Sequence, residues 1–382
     1  MTGTVFRVLL IVALPMGCFL RAFDYKYWEY VIDTYPELIS KIKEAQLHDE
    51  AMESAALPPP LELVEDFPHG DVRLGQVSGV AVDQSGDIYV FHRADRPWAQ
   101  DTFNGNVFNN PKQGPIQSNV ILKLNKKTGE VTESFGSGKF YLPHGLTVDN
   151  DGNIWTTDVA LHQVLKFEKG SQTPSLTLGE ALVPGSDTSH FCKPTDVAVA
   201  SNGEFFVADG YCNGRVLKYS ATGTLLGQWG TRSTSNVATS DDDFNIPHSL
   251  TLVEGRDMIC VADREHSRVQ CFNAGLTDNN STGEFMRSFH GGALGKMFAI
   301  SYDPHGDVIY AVSGPNQSMR KAAGLTLDMA GTGVILEKWE NFDEQPHDIA
   351  VSPDGIDLYV GLLSPPRLLE KFHRDVEDPM VG

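Results

Sequence analysis

The hydrophobic and polar positions of this chain form a unit that recurs six times after about Gly75. Each unit has an apolar, alternating strand, a turn rich in glycine and aspartate, and a second apolar strand. The copies are VSGVAVDQSGDIYVFHR, PHGLTVDNDGNIWTTDV, PTDVAVASNGEFFVADG, PHSLTLVEGRDMICVADR, MFAISYDPHGDVIYAVSG and PHDIAVSPDGIDLYVGL. Their period of about 50 residues is typical of propeller blades. The pattern therefore predicts an all-β fold, a six-bladed β-propeller.

The segments outside the repeats have a different character. Residues 1–20 contain one arginine followed by a short apolar run, which is typical of a secretory signal peptide, with a signal anchor as the alternative. Residues 21–65 have helix-like spacing and many charges, and LPPP stops that pattern, which indicates a short helical N-terminal arm. We therefore expect the propeller to occupy residues 66–374 and a tail to occupy residues 375–382.

Composition narrows the possible partners and the compartment. A chain of 382 residues with 41% hydrophobic content can bury a large core, and its formal charge of −20 disfavours nucleic acid and anionic membranes as partners. No run after the signal approaches the ~18 apolar residues of a membrane span, so we expect no membrane association after signal removal. We expect a monomer in the secretory pathway or outside the cell, or in a secretory granule. Sequons begin at Asn279, Asn280 and Asn316.

Four cysteines lie outside the signal, an even number that suits an oxidising compartment. Cys260 and Cys271 bracket a hairpin, so their Cβ atoms can come within bridging range. Cys192 precedes the third repeat and Cys212 follows Tyr211, where a bridge would restrain the tyrosine. Because four cysteines allow three pairings, the sequence leaves the connectivity open.

Histidine occupies one repeat position in every second unit. The first strands open, in order, at Ser78, His144, Thr195, His248, Phe298 and His347. Equivalent positions of a propeller lie at equal radius and height, so the three imidazoles should surround the central axis. A single histidine there would more simply be a packing residue, but strict alternation favours a three-histidine zinc site with an open position. His162 and His266 share no repeat position and are assigned to the surface or to turns.

A second shared position lies at the end of the second strand, on the same mouth of the channel. Arg93 and Arg264 are equivalent there in the first and fourth units, and Tyr211 lies one residue later in the third. Two guanidinium groups and a phenol facing a metal suggest a site for a small carboxylate-bearing substrate, because arginine pairs bidentately with carboxylates.

The chain resembles the peptidyl-α-hydroxyglycine α-amidating lyases, which carry the second activity of peptide C-terminal amidation and have NHL-like repeats. The resemblance covers about Gly75 to Tyr359 and rests on specific strings: GQVSGVAVD, FHR, YLPHGL, TDVALHQV, HFCKPTDVAV, DGYCNGR, PHSL, CVADRE and PHDI. It implies catalytic zinc on the three histidines, with Tyr211 as general base and with Arg93 and Arg264 binding and polarising the substrate.

The same resemblance implies further partners. A structural calcium ion would bind the carbonyl groups of Val80 and Leu146 and the carboxylate of Asp348. The substrate would be a peptide ending in α-hydroxyglycine, supplied by a separate monooxygenase, and the products would be a peptide amide and glyoxylate, as in neuropeptide and hormone maturation.

Two positions and one segment depart from the family pattern. Gln345 replaces methionine, His266 replaces asparagine, and the last unit ends in GLLSPPRLLEKF. These departures predict an altered final blade, in which metal binding through His347 and Asp348 would be the property most affected.

Two other functions fit a propeller of this kind. One is a non-enzymatic NHL-type binding platform, and the other is a calcium-dependent propeller hydrolase of lactones or esters. A platform gives no reason for alternating histidines, and such hydrolase sites draw mainly on carboxylate and asparagine ligands. The metal content of the purified protein would separate these possibilities from a zinc lyase.

Overall fold

The computed structural model describes residues 59–375 except 71, 332–334, 341 and 344. The predicted signal peptide, residues 21–58 of the predicted arm and residues 376–382 of the tail lie outside the described residues. Within the described ranges, no helix has the length and apolar character needed to cross a membrane.

Six four-stranded antiparallel sheets follow one another along the chain, which confirms the six-bladed propeller. Two short strand pairs lie outside these sheets: Phe103–Asn104 with Val107–Phe108, and Thr231–Arg232 with Asp243–Phe244. Short 3-10 helices form at Pro111–Gln113, Glu254–Arg256, Asn279–Ser281 and Gly292–Leu294. The blades comprise, in order, Val77–Val82, Ile88–His92, Ile121–Leu124 and Val131–Phe135; Pro143–Val148, Ile154–Asp158, Gln163–Phe167 and Pro174–Leu178; Asp196–Val199, Phe205–Asp209, Arg215–Tyr219 and Leu225–Trp229; Pro247–Val253, Met258–Asp263, Arg268–Asn273 and Phe285–His290; Lys296–Asp303, Val308–Gly314, Ala323–Asp328 and Ile335–Glu340; Pro346–Val351, Asp357–Leu362, Leu369–Arg374 and Leu61–Leu63.

The sixth blade closes the ring with a strand from the other end of the repeat region. Leu61–Leu63 pairs antiparallel with Leu369–Arg374, and Leu61 is opposite Arg374. The sequence analysis assigned these residues to the N-terminal arm. The propeller therefore begins at or before Leu61 instead of at residue 66. Three residues are too few for a periodic signal, and their partner lies some 300 residues away, which explains why the pattern missed them.

The altered ending of the last repeat keeps the blade geometry. Asp357–Leu362 pairs antiparallel with Pro346–Val351, with one register shift at His347, and with Leu369–Arg374 without a shift. The Leu363 amide also donates to the Gln345 carbonyl at 3.0 Å. The described residues of this blade therefore do not show the altered packing that the sequence predicted.

The inner strands crowd closely around the axis. A Cβ atom added to Gly79 would lie 2.9 Å from Leu146 Cβ, and one added to Gly145 would lie 2.4 Å from the Thr195 carbonyl oxygen. Neither neighbour is a flexible side-chain end that could move away. Glycine at these two positions lets the first three blades approach each other at the level of the histidines.

Candidate active site

Backbone irregularities direct the three histidines to the axis. In the fourth blade Pro247 pairs with Asp263 and Ser249 pairs with Ala262, so His248 is the extra residue of a bulge. The same shift occurs around His347, and around His144 together with Gly145. A bulge changes the direction of a side chain relative to the regular strand. Here it places the imidazoles in the channel.

The three imidazoles form a nearly equilateral triangle. The ring centroids of His144, His248 and His347 are 4.8 Å apart in all three pairs, and one ring nitrogen from each lies within 4.8 Å of the others. All three side chains are buried. The structure thus brings together the three residues that the sequence singled out, including His347 from the blade with the unusual ending.

Backbone carbonyl groups of the intervening blades orient these rings. The Nδ1 atoms lie 2.6 to 2.9 Å from carbonyl oxygens. Because a carbonyl oxygen only accepts, each Nδ1 carries a proton and donates it, and each Nε2 keeps a lone pair. The pairs are His144 with Thr195, His248 with Phe298, and His347 with Ser78.

The surroundings keep the three rings neutral. Burial lowers the pKa of His144 well below its ordinary value, and the positive charge of Arg93 lowers it further. Burial likewise lowers the pKa of His248 and of His347, with a smaller contribution from neighbouring histidines. Neutral imidazole is the form that binds metals.

Tyr211 places its hydroxyl group over this triangle. Its Oη lies 3.0 Å from His144 Nε2 and 3.2 Å from His248 Nε2, and Arg264 Nη1 lies 3.5 Å from the same oxygen. Burial raises the pKa of the phenol above its ordinary value, whereas the charges of Arg264 and Arg93 act to lower it. Among the protein groups alone, burial prevails and Tyr211 stays protonated.

Arg93 is a buried guanidinium group with one free nitrogen. It is 1% exposed, its Nε donates to the Pro143 carbonyl at 3.0 Å, and its Nη1 donates to Gln76 Oε1 at 2.9 Å. Nη2 is buried without a hydrogen-bond partner among the described residues. Burial lowers the pKa of Arg93 to about 10, so it remains charged at neutral pH. A buried charged donor without a partner is costly, which suits a site completed by an anionic ligand.

Arg264 is the second guanidinium group near Tyr211. Its guanidinium group lies 5.3 Å from the centre of the Tyr211 ring and 5.1 Å from that of Phe298, and its Nε forms an ion pair with Glu265 at 3.0 Å. Arg264 is only partly buried. The two arginines and Tyr211 therefore meet at one mouth of the channel, as the sequence predicted.

The described residues contain two disulfides, one beside Tyr211 and one within the fourth blade. Cys192 is bridged to Cys212, the residue after Tyr211, and Cys260 is bridged to Cys271 across directly paired strands. The structure thus chooses one of the three pairings that the sequence left open.

A second polar region lies further along the inner strands, beyond the level of the histidines. Val80, Leu146 and Asp348 line a common cavity of about 220 Å³. Asp348 Oδ2 accepts a hydrogen bond from the Val80 amide at 2.8 Å, and burial together with the charge of Asp196 raises the pKa of Asp348 well above its ordinary value. Asp196 also lines the cavity, and burial raises its pKa to about 7. Sequence reasoning did not single out Asp196, although it directly follows the shared repeat position.

An insertion in the first blade supplies an aromatic wall that the sequence did not reveal. Trp98 lies between Ile88–His92 and Ile121–Leu124, and its ring centre is 4.9 Å from that of Tyr211 and 5.4 Å from the Arg93 guanidinium group. The Trp98 amide donates to Gln76 Oε1, which also holds Arg93. No repeat pattern covers this segment, so only its aromatic content could have drawn attention to it.

The two remaining histidines named above lie in turns, but the structure buries them. His162 accepts the Lys193 amide at Nδ1, and His266 contacts Asp263 at 2.6 Å with a side chain that is 0% exposed. The prediction of a surface or turn location is therefore confirmed through the turns, and the structure adds that both side chains are buried there.

Comparison with known proteins adds a repeat family and close relatives. The NHL repeat family matches residues 140–167, 191–219 and 244–272. Peptidyl-alpha-hydroxyglycine alpha-amidating lyase 2 of Drosophila melanogaster is 44% identical over 308 residues, covering 80% of this chain and 73% of that protein. A probable peptidyl-alpha-hydroxyglycine alpha-amidating lyase of Caenorhabditis elegans is 40% identical and covers 86% of this chain and 91% of that protein.

A longer relative matches through part of its length. Peptidyl-glycine alpha-amidating monooxygenase A of Xenopus laevis is 46% identical over 310 residues, which are 79% of this chain but only 32% of that protein. The two lyases, in contrast, are matched over most of their lengths. The chain therefore belongs to the peptidyl-α-hydroxyglycine α-amidating lyases, a family of lyase enzymes.

Proposed function

We propose that this chain cleaves peptides ending in α-hydroxyglycine into a C-terminally amidated peptide and glyoxylate, and that zinc on His144, His248 and His347 is required. One observation carries the proposal: three neutral Nε2 atoms converge beneath the Tyr211 hydroxyl, close to a buried arginine with a free nitrogen. Family membership suggests which reaction this arrangement performs.

The donor set fits zinc. Three buried imidazoles with fixed tautomers match the ligand set of catalytic zinc sites, in which a fourth position stays open. Imidazole nitrogen also disfavours magnesium and calcium, which prefer oxygen ligands. When bound here, zinc would supply positive charge that favours ionisation of the substrate hydroxyl group and of the neighbouring phenol.

The residues of the chain hold the substrate and move the proton. The Nη2 atom of Arg93, which has no hydrogen-bond partner among the described residues, suits the substrate carboxylate. Arg264 lies beside the Tyr211 hydroxyl group and polarises the substrate there. Tyr211 Oη takes the proton of the substrate hydroxyl as its C=O bond forms and the C–N bond breaks. The same proton is then donated to the departing amide nitrogen. Because burial raises the pKa of Tyr211, added positive charge is needed for it to act as a base.

A structural calcium ion is proposed for the cavity lined by Val80, Leu146 and Asp348. Two half-buried carboxyl groups, Asp196 and Asp348, face the same space, and the charge of Asp196 disfavours the ionisation of Asp348. A divalent cation with oxygen ligands would offset that repulsion. Calcium should therefore raise the unfolding temperature of protein treated with a chelator, and an unchanged temperature would contradict the assignment.

The setting that we propose is the secretory pathway, in neuropeptide or hormone maturation. Two disulfides are consistent with an oxidising compartment. Monooxygenases are among the relatives, so a separate monooxygenase is a reasonable source of the hydroxylated substrate. The catalytic groups all come from one chain, which is compatible with an active monomer.

The experiment is direct. The purified protein is incubated with an α-hydroxyglycine-extended peptide, glyoxylate is quantified, and the amide product is identified by mass. We expect equal amounts of the two products, loss of activity with a chelator and recovery with zinc. Absence of glyoxylate from zinc-loaded protein would refute the lyase proposal and favour a binding platform, and hydrolysis of a lactone would favour the hydrolase.

A further inference from the structure

An open pocket adjoins the candidate active site between the fourth, fifth and sixth blades. Its volume is about 550 Å³, within the range of roughly 300–1,000 Å³ that accommodates small ligands. Arg264 and Phe298 belong to its wall. The same Phe298 packs against the His248 ring at 5.4 Å, and Arg264 contacts Tyr211. The pocket therefore starts at the reacting centre and leads outward.

The opposite side of the centre is covered. Arg93 is almost fully buried, and the Trp98 ring lies over both its guanidinium group and Tyr211. The insertion that carries Trp98 is anchored from the third blade, because Lys193 Nζ donates to the Gly105 carbonyl at 3.2 Å. A peptide whose terminal carboxylate is held at Arg93 would thus extend toward Arg264 and the open pocket.

The charge of this pocket is opposite to that of the protein as a whole. Among the residues that the structure describes, four cationic and two acidic side chains line it, a balance of +2 for these six residues, whereas the formal charge of the chain is −20. The cations are Arg264, Lys296, Arg320 and Lys321, and the acids are Glu265 and Asp343.

The ion pairs in the pocket leave part of this positive charge available. Glu265 is shared between Arg264 at 3.0 Å and Lys296 at 2.8 Å. Asp343 pairs with Lys321 at 2.8 Å, where both side chains are more than half exposed and can exchange partners. Arg320 is exposed and has no acidic partner in the part of the chain that the structure describes. An incoming carboxylate could therefore pair with Arg320 and compete for Lys321.

We propose that this pocket is a substrate subsite that selects an acidic side chain in one of the two residues preceding the hydroxyglycine. The inference rests on the proposed lyase function and adds a substrate class to it. Positive charge in a cleft raises the local concentration of acidic peptides and pairs with their side chains. The preference should weaken as salt rises, because the cations are exposed.

The test compares matched hexapeptides that end in α-hydroxyglycine and carry Glu, Gln or Lys at either preceding position. At low salt the Glu peptide should exceed the Gln peptide in kcat/KM by roughly threefold to tenfold, as expected for two exposed ion pairs. The Lys peptide should be the poorest. In the Arg320→Gln/Lys321→Gln double variant, the ratio of Glu to Gln peptides should fall close to one.

A matched control removes a cation elsewhere: Lys169→Gln, at an exposed position on the second blade, should keep the native ratio. Equal constants for the Glu and Gln peptides in the native protein, or a ratio that survives the double variant, would overturn the subsite while leaving the lyase proposal intact. Turnover of none of the peptides would overturn the proposed function and the subsite with it.

Discussion

The even and odd blades of this propeller differ in the residue at one shared repeat position and in the part of that residue that contributes to the site. In blades two, four and six the position is a histidine whose side chain reaches the axis. In blades three, five and one it is Thr195, Phe298 or Ser78, whose backbone carbonyl accepts a hydrogen bond from the neighbouring histidine. The even blades thus supply the three imidazole groups, and the odd blades orient them through backbone carbonyl groups.

This division explains how a repeat can build an asymmetric site. A carbonyl group is present whatever the side chain, so the odd blades can orient a histidine and still vary in sequence. Residues as different as Ser78, Thr195 and Phe298 can therefore occupy this position. Residues just after the second strands complete the site: Arg93 and Tyr211 come from odd blades, and Arg264 comes from the fourth blade. The comparison predicts which side chains can be changed without loss.

The largest effect should come from an even-blade ligand compared with its odd-blade counterpart. His347→Ala should remove bound zinc and lower turnover by about 10³-fold or more, since a metal contributes several kcal/mol to the transition state. Ser78→Ala keeps the backbone carbonyl group that orients His347, so this variant should retain bound zinc and normal turnover. Metal analysis, turnover and the circular dichroism of the β-sheet check this pair. Stoichiometric zinc in His347→Ala would defeat the assignment.

The next effect tests whether an odd blade provides the base. Tyr211→Phe removes one oxygen and keeps the ring that packs on Trp98, so turnover should fall by about 10²-fold or more. Binding of a non-reactive α-hydroxy acid should stay within severalfold, because other groups hold it. Normal turnover by this variant would show that the proton leaves by another route.

A smaller effect is expected on binding from the buried arginine of the first blade. Arg93→Ala should weaken binding of the same α-hydroxy acid by roughly 1.5 to 3 kcal/mol, the value of a charge-assisted hydrogen bond. Arg232→Ala, at an exposed position, serves as the control and should bind normally. Calorimetric titration measures both variants. Equal affinity of the two would remove Arg93 from the carboxylate site.

The smallest effect separates the two disulfides. Cys192→Ser/Cys212→Ser frees the segment that carries Tyr211, so turnover should fall severalfold at a temperature where the fold persists. Cys260→Ser/Cys271→Ser should affect turnover less, because those residues already face each other in paired strands. Rates measured well below each unfolding temperature provide the test. The reverse order would show that the bridge beside Tyr211 does not position it.

The fold and the central residues were predictable because both follow from repetition. Equivalent repeat positions occupy equivalent places in a closed ring, so the alternation of His144, His248 and His347 already implied convergence. The position of Arg93 and Arg264 at the ends of second strands followed in the same way. Repetition did not predict Leu61–Leu63, which closes the ring from outside the repeats, or Trp98, which lies in an insertion.

Period and residue type were enough to predict the class of fold, the three histidines and the residues facing them. The disulfide pairing, the tautomers and the proximity of Asp196 to Asp348 became visible in the folded ring. Each of these depends on distances between atoms far apart in the chain: Thr195 O lies 2.8 Å from His144 Nδ1 although 51 residues separate them. A backbone carbonyl leaves no trace in a sequence, so the orienting role of the odd blades appears only when the ring closes.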